Sequence, residues 1–276
     1  MKIVRLGHTE SHLLFFFFIL KFGQEHININ KLCKKNINYY TSWLHKTAGY
    51  YEKSTDTTII NKNYNDFIDH LGISIGNCEV SQFYLSEMIT AIFEKHKKLF
   101  FDVYKITNFQ ILNETHFSDR IDSIFAYIKD KKVLVVSSFD GLILKQYQSR
   151  NIYKIYKNFP ELIDLKTIKF PYCYNNNGPH NNYHETLDSV FNDIKDIDFD
   201  IALLGCGCYG HMLCHKIHSE LNKDAIYLGG SIQEFFGILS SREKSSGLKY
   251  DDNWITEIPE EYRPDCFKNI ENGCYW

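Results

Sequence analysis

Residues 199–237, FDIALLGCGCYGHMLCHKIHSELNKDAIYLGGSIQEFFG, constrain the fold more tightly than any other stretch of the chain. Ile201, Ala202, Leu203 and Leu204 form a short uninterrupted apolar run, of the kind buried in a parallel strand. Gly205, Gly207 and Gly210 follow in the spacing G-x-G-x-x-G. The pattern then predicts a helix over 209–221, a second buried strand over 225–228, the pair Gly229-Gly230, and another helix from Ser231. Strand, glycine turn, helix, strand is the βα unit that holds phosphates. Its first glycines let the backbone turn and approach a pyrophosphate, and the helix start offers unpaired N–H groups. A dinucleotide site also needs an acid at the end of the second strand, for the ribose hydroxyls. That place holds Gly229 and Gly230, and Asp224 precedes the strand. The reading therefore goes against NAD and against the usual methyltransferase cofactor. The same glycines are also explained by tight turns and strand–helix packing alone.

The second half of the chain alternates elements in the same way. Strands are predicted over 133–136 and 167–170. A break follows the first at residues 137–141 and a polar loop the second at 173–184, with a helix over 185–197. This order implies an α/β, Rossmann-like, mostly parallel sheet with helices on both faces. Ligands in such sheets sit beyond the carboxyl ends of the strands. Residues 1–130 read as a mainly helical N-terminal part packed on that core, 131–250 as the core, and 251–276 as an aromatic tail that packs back. Within the first part, the apolar run 13–20 is too short to span a bilayer. Glu10 before it and Lys21-Phe22 after it spoil a signal peptide, so it reads as a buried strand or helix. Residues 64–71 have helical spacing, 72–79 resemble a short strand, and helices are predicted over 81–100 and 117–128.

The formal net charge of −3 over 276 residues, with signs interspersed, offers no basic field for nucleic acid and no polybasic membrane patch. No transmembrane segment is predicted. Eight irregularly spaced cysteines in a chain this long fit a reduced, cytoplasmic compartment better than a disulfide scaffold. Cys206, Cys208, His211, Cys214, His215 and His218 fall close together, but ligands along one helix face do not easily surround a tetrahedral ion, and no C-x₂-C pair is present.

Several stretches together resemble a family of glycosyltransferase-like proteins found in polysaccharide-biosynthesis loci of microbes and in some giant viruses. They are HKTAGYY, VLVVSSF followed by ILKQY, FDIALLGCGCYG, AIYLGGSIQEFFGI and the closing ENGCYW. The layout is also similar, more distantly, to GT-D-type glycosyltransferases, which pair a Rossmann-like sheet with a DxE motif that holds a divalent ion against the nucleotide-sugar diphosphate. The resemblance implies an enzyme that moves a sugar from a nucleotide-sugar donor to a glycan acceptor hydroxyl, with Mn²⁺ or Mg²⁺ as cofactor and a homo-oligomer left open. Where a GT-D protein reads G-D-G-E, this chain reads Gly76-Asn77-Cys78-Glu79. Asn77 replaces the first carboxylate, which weakens the ion site.

On this reading Gly205, Gly207, Tyr209 and Gly210 hold the diphosphate, with His211 donating beside them. Gly229, Gly230 and Gln233 line the nucleoside or sugar side, and Arg242 or Lys244 neutralises phosphate charge. Glu79 is the metal ligand or the base that activates the acceptor hydroxyl, and Asp140 is a second candidate base. Glu271 reaches the cleft if the tail folds over it. A binding protein that kept the fold and lost turnover is the rival reading. An NAD-dependent nucleotide-sugar epimerase or dehydratase is a third, opposed by the missing ribose acid.

Overall fold

The computed structural model describes residues 1–23, 27–111, 118–245 and 247–276. Seven strands form one sheet: β1 Lys2–Leu6, β2 Val80–Phe83, β3 Phe109–Ile111, β4 Lys132–Ser137, β5 Asp164–Lys169, β6 Ile201–Gly205 and β7 Asp224–Tyr227. Their order is β3-β2-β1-β7-β6-β4-β5, and every pairing is parallel. The centre follows from apolar runs without polar alternation. Val135 pairs with Leu203, and Leu203 with Ile226. Such strands are stable only when both faces are covered.

Alternate residues divide between two cores. Val4, Leu6, Leu134, Val136, Ala202 and Leu204 face one layer. That layer contains α1 His8–Phe22, α2 Ile27–Trp43, α3 Thr57–Ile75, α4 Glu87–Tyr104, α8 Tyr183–Lys195 and α9 Gly210–Leu221. Val133, Val135, Ile201, Leu203 and Ile226 face the other. There lie α5 Ser118–Ile128, α6 Asp140–Gln148, α7 Asn151–Ile155, α10 Ser231–Phe235 and the returning tail. Trp276 is buried, and its indole N–H donates to the Tyr262 carbonyl at 2.6 Å. Among the described residues no helix is long and apolar enough to cross a membrane.

The predicted strands over 133–136, 167–170, 201–204 and 225–228 stand in place as β4, β5, β6 and β7. The first 111 residues depart from the sequence reading, because they supply three strands of this same sheet. β1 sits near its centre, between β2 and β7. The apolar run 13–20 is helical, inside α1. The strand expected over 72–79 is the last turn of α3 followed by a turn at Gly76-Asn77. Phe67, Leu71 and Ile75 continue one buried helical stripe, and Gly72 admits the Tyr104 ring, which would lie 2.4 Å from a Cβ there. β2 then takes Val80–Phe83, where a helix was expected, and α4 begins only at Glu87. The helix expected over 117–128 is α5, with residue 117 outside the described residues.

Candidate active site

Beyond the carboxyl ends of the strands lies a cavity of about 660 Å³. Its walls come from the turns after β1, β4, β5, β6 and β7, from residues 47–49, and from Arg242, Glu271, Tyr275 and Trp276. Residues 47 and 48 close a π-helical turn, Leu44–Ala48, a geometry often found at functional sites.

Two arginines flank the glycine pair after β7. Arg5 is on β1, and a Cβ at Gly229 would stand 3.4 Å from its Nη1. A Cβ at Gly230 would stand 2.9 Å from Nη2 of Arg242. A side chain at Gly230 would crowd the Arg242 guanidinium, whereas a Cβ at Gly229 would only touch that of Arg5. Gly229 also has φ +60, which favours glycine. Arg5 is held in place: its Nη1 donates to the Leu228 carbonyl at 2.6 Å and to Ser231 Oγ at 3.3 Å, and the guanidinium lies 4.8 Å above the Tyr84 ring. Arg242 lies 5.1 Å over the Tyr275 ring, and its backbone N–H donates to the Cys274 carbonyl. Buried Gln233 donates to the Tyr275 carbonyl at 2.8 Å. It lines the cavity, but its amide is occupied in tying the tail to α10.

The expected phosphate turn divides. Gly205, Gly207 and Tyr209 line the cavity, and Gly210 does not. Gly210 is a packing glycine, since a Cβ would lie 2.3 Å from the Tyr227 ring. Gly207, at φ +54, passes close to the π-helical turn, where a Cβ would meet the Ala48 carbonyl oxygen at 2.4 Å. The Tyr227 hydroxyl donates to the Gly207 carbonyl at 2.7 Å. His211 lies away from the cavity, fully buried with its ring 6.0 Å from that of Phe67. Both ring nitrogens are without a partner, and burial pushes its pKa down to about 3. A neutral imidazole so placed gives a phosphate neither charge nor hydrogen bond.

The expected acids fare no better. Asp140 sits in the first turn of α6 and outside the cavity wall, though its neighbour Phe139 is in it. Burial first, and the Asp140 charge second, raise the pKa of the nearby Tyr262 phenol. Lys244 is exposed and donates to the Thr256 carbonyl. Glu79 is exposed just before β2, at the amino end of the sheet, and its backbone N–H donates to the Lys2 carbonyl. The carbonyl of Gly76 accepts from the buried Lys2 ammonium at 2.6 Å. Gly76-Asn77-Cys78-Glu79 is therefore at the opposite end of the strands from the cavity. Glu271 does line it, from the returned tail. Its backbone is left-handed at φ +46, followed by Asn272 at +57 and Gly273 at +74. Such a conformation is costly for glutamate and persists only where surrounding structure enforces it.

Sequence reasoning missed Arg5 and Glu10. The four-residue pattern recurs at the carboxyl end of β1 as Gly7-His8-Thr9-Glu10, with His8 and Thr9 where the pattern has Asp and Gly. All four line the cavity. Glu10 exposes 6% of its surface, and burial raises its carboxyl above the ordinary range against the pull of its own backbone N–H and of Arg5. The His8 ring lies 4.0 Å from that of His12, tilted at 43°, and partial burial lowers its pKa. Among the described residues no three His, Cys, Asp or Glu side chains converge as a ligand set. Glu10 and His8 are the ligand-type side chains at the β1 side of the cavity, and Mg²⁺ commonly takes one or two carboxylates and completes its shell from phosphate and water. A buried carboxyl with a raised pKa is also one that an arriving cation would return to its charged form. The signal available in the sequence was KIVRLG: an alternating strand carrying a charge, then a glycine, just ahead of an apolar helix.

Residues 174–235 match the family described as GT-D fold-like domain. The match holds β6, the glycine turn, α9, β7 and the Gly229-Gly230 pair. A solved structure described as a selenomethionine-substituted domain of unknown function 1792 (DUF1792) is similar, with a TM-score of 0.46 and 13% identity over 95% of this chain and 86% of that chain. No curated protein matches.

Proposed function

We propose that this chain is a glycosyltransferase of GT-D type, moving a sugar from a nucleotide-sugar donor to a hydroxyl of a glycan acceptor. The observation that carries the reading is the pair of guanidiniums, Arg5 and Arg242, on either side of Gly229-Gly230 in a cavity large enough for such a donor. Loss of the sugar leaves negative charge on the departing diphosphate. Arg5 is already oriented by Leu228, Ser231 and Tyr84, so it stabilises that charge without reorganising. Arg242 does so from the other side. Gly205 and Gly207 line the cavity at the end of β6, where the donor passes. Glu271 stands on the tail wall as the base for the acceptor hydroxyl, in place of Glu79 and Asp140. A Mn²⁺ or Mg²⁺ ion held by Glu10 and His8 would add positive potential at the diphosphate. Glu10 and Arg5 orient the donor from β1 whether or not the ion is present.

The rival, a donor-binding protein without turnover, is favoured by His8 standing where a second carboxylate would be. Thermal unfolding with UDP-, GDP- and other nucleotide sugars, with and without Mn²⁺, tests both readings. Stabilisation of about 3 kcal/mol is expected at 100-fold excess over the dissociation constant. Slow release of free sugar from the stabilising donor would identify the transferase, and stabilisation without release the binder. Stabilisation by NAD alone would overturn both.

A further inference from the structure

Outside the cavity, one exposed surface has a composition unlike the rest of the chain. Residues 26–51 contain four lysines and no acid, although the chain as a whole carries a net charge of −3. The fold gathers them. On α2, Lys31, Lys34, Lys35, Asn38, Tyr39, Ser42 and Trp43 are all exposed. Their spacing of three and four residues makes a single stripe along the helix. Cys33, Ile37 and Tyr40 lie on the other side, packed on the core. The stripe has a direction. Lysines occupy its first half and aromatics its second, with Tyr39 at 55% and Trp43 at 39% exposure. Exposed Lys46 follows within the π-helical turn, and Thr47, Ala48 and Gly49 are already cavity wall. Lys21 and Phe22, both exposed, end the neighbouring helix α1.

We propose that this stripe docks the protein on an anionic lipid surface and turns the cavity mouth toward it. Ammonium groups on flexible stems are drawn to anionic headgroups, and Tyr and Trp rings settle at the headgroup boundary. The missing acids remove the repulsion that interspersed charges would create. A nucleic-acid partner is less well served, because the chain's overall negative charge opposes a long polyanion and the stripe is only one helix wide. The overall charge conceals this surface in the sequence, since a sum over 276 residues carries no position. Docking stands apart from turnover, and a binder without catalysis would dock equally well.

Co-sedimentation of the full chain with vesicles tests it, using phosphatidylcholine alone and phosphatidylcholine mixed with phosphatidylglycerol. Binding is expected on the mixed vesicles, weakened by high salt, with little on phosphatidylcholine. The triple variant K31E/K34E/K35E should bind the mixed vesicles about 100-fold more weakly, with an unchanged thermal unfolding profile. Y39S/W43S should bind less at every salt concentration. Equal binding to both vesicle types, an unaffected triple variant, or retention on RNA with no vesicle binding would each overturn the proposal. Because the variants lie outside the cavity, nucleotide-sugar stabilisation should be unaltered in them. Its loss in the unmodified protein would instead count against the transferase reading.

Discussion

Of the chain's three G-x-x-E stretches, two stand at opposite ends of one sheet, and those two behave oppositely. At the carboxyl end of β1, Gly7 to Glu10 open into a cavity beside Arg5, with the Glu10 carboxyl buried. At the amino end of β2, Gly76 to Glu79 form a closed connection. Lys2 caps the Gly76 carbonyl, Cys78 donates to the Ser74 carbonyl, and Glu79 points into solvent. Two matching letters in four therefore mean little until it is known which end of a strand they occupy. In a parallel sheet only the carboxyl ends present divergent turns around a crevice.

The sharpest way to break this comparison is to neutralise both acids. Glu10→Gln should lower sugar transfer by about 100-fold or more, as loss of a group acting at the reacting diphosphate does. Glu79→Gln should leave both turnover and stability unchanged. A reversed pattern in steady-state rates would return the site to the amino end of the sheet. Next in size is Arg5. Arg5→Ala should weaken nucleoside-diphosphate binding about 100-fold in calorimetric titration, and Arg5→Lys should recover only part of it, because a point charge cannot satisfy the same forked geometry.

Two further changes sharpen the picture, one in the cavity wall and one in the buried core. Gly207→Val adds a β-branched side chain at φ +54, against the Ala48 carbonyl, and should cost about 3 kcal/mol in urea unfolding. Nucleotide affinity measured on this variant would thus report on damage to the fold as well as on the phosphate site. An unchanged urea midpoint would contradict the packing described here. His211 gives an effect that is absent at neutral pH and appears only in acid. Its pKa in the fold is about 3 and its ordinary value 6.5, so the unfolded chain takes the proton first. Stability is complete above about pH 7 and falls as the pH drops from about 6.5 toward 3, by at most about 1.4 kcal/mol per unit. His211→Phe removes that component, because neither ring nitrogen has a partner to lose. His12 and His215, both at about 4, keep a residual slope. Identical slopes for the two proteins would refute the burial argument.

The parts of this fold that could be read from the chain are those where burial on both faces writes a continuous apolar run. The strands around Val135, Leu203 and Ile226 are of that kind, as are the glycines that end them. The aromatic tail was also legible, since residues such as Trp276 have little reason to stay in water. β1 was not. It has five residues, two of them Lys2 and Arg5, and the longer apolar run after it drew attention away. Each of these charges has its own reason to be there. Lys2 is paid for by the Gly76 carbonyl, and Arg5 emerges at the strand end into the cavity. Gly210 and His211 were misplaced for a related reason. The fingerprint spacing cannot distinguish a glycine that faces a ligand from one that admits a neighbouring ring.

A structure of the protein soaked with a nucleoside diphosphate, such as UDP or GDP, tests the central claim most directly. The account predicts both phosphates over Gly229-Gly230, within hydrogen-bonding reach of the Arg5 and Arg242 guanidiniums. A nucleotide seated elsewhere, beside Glu79 or with its phosphates turned away from both arginines, would contradict it.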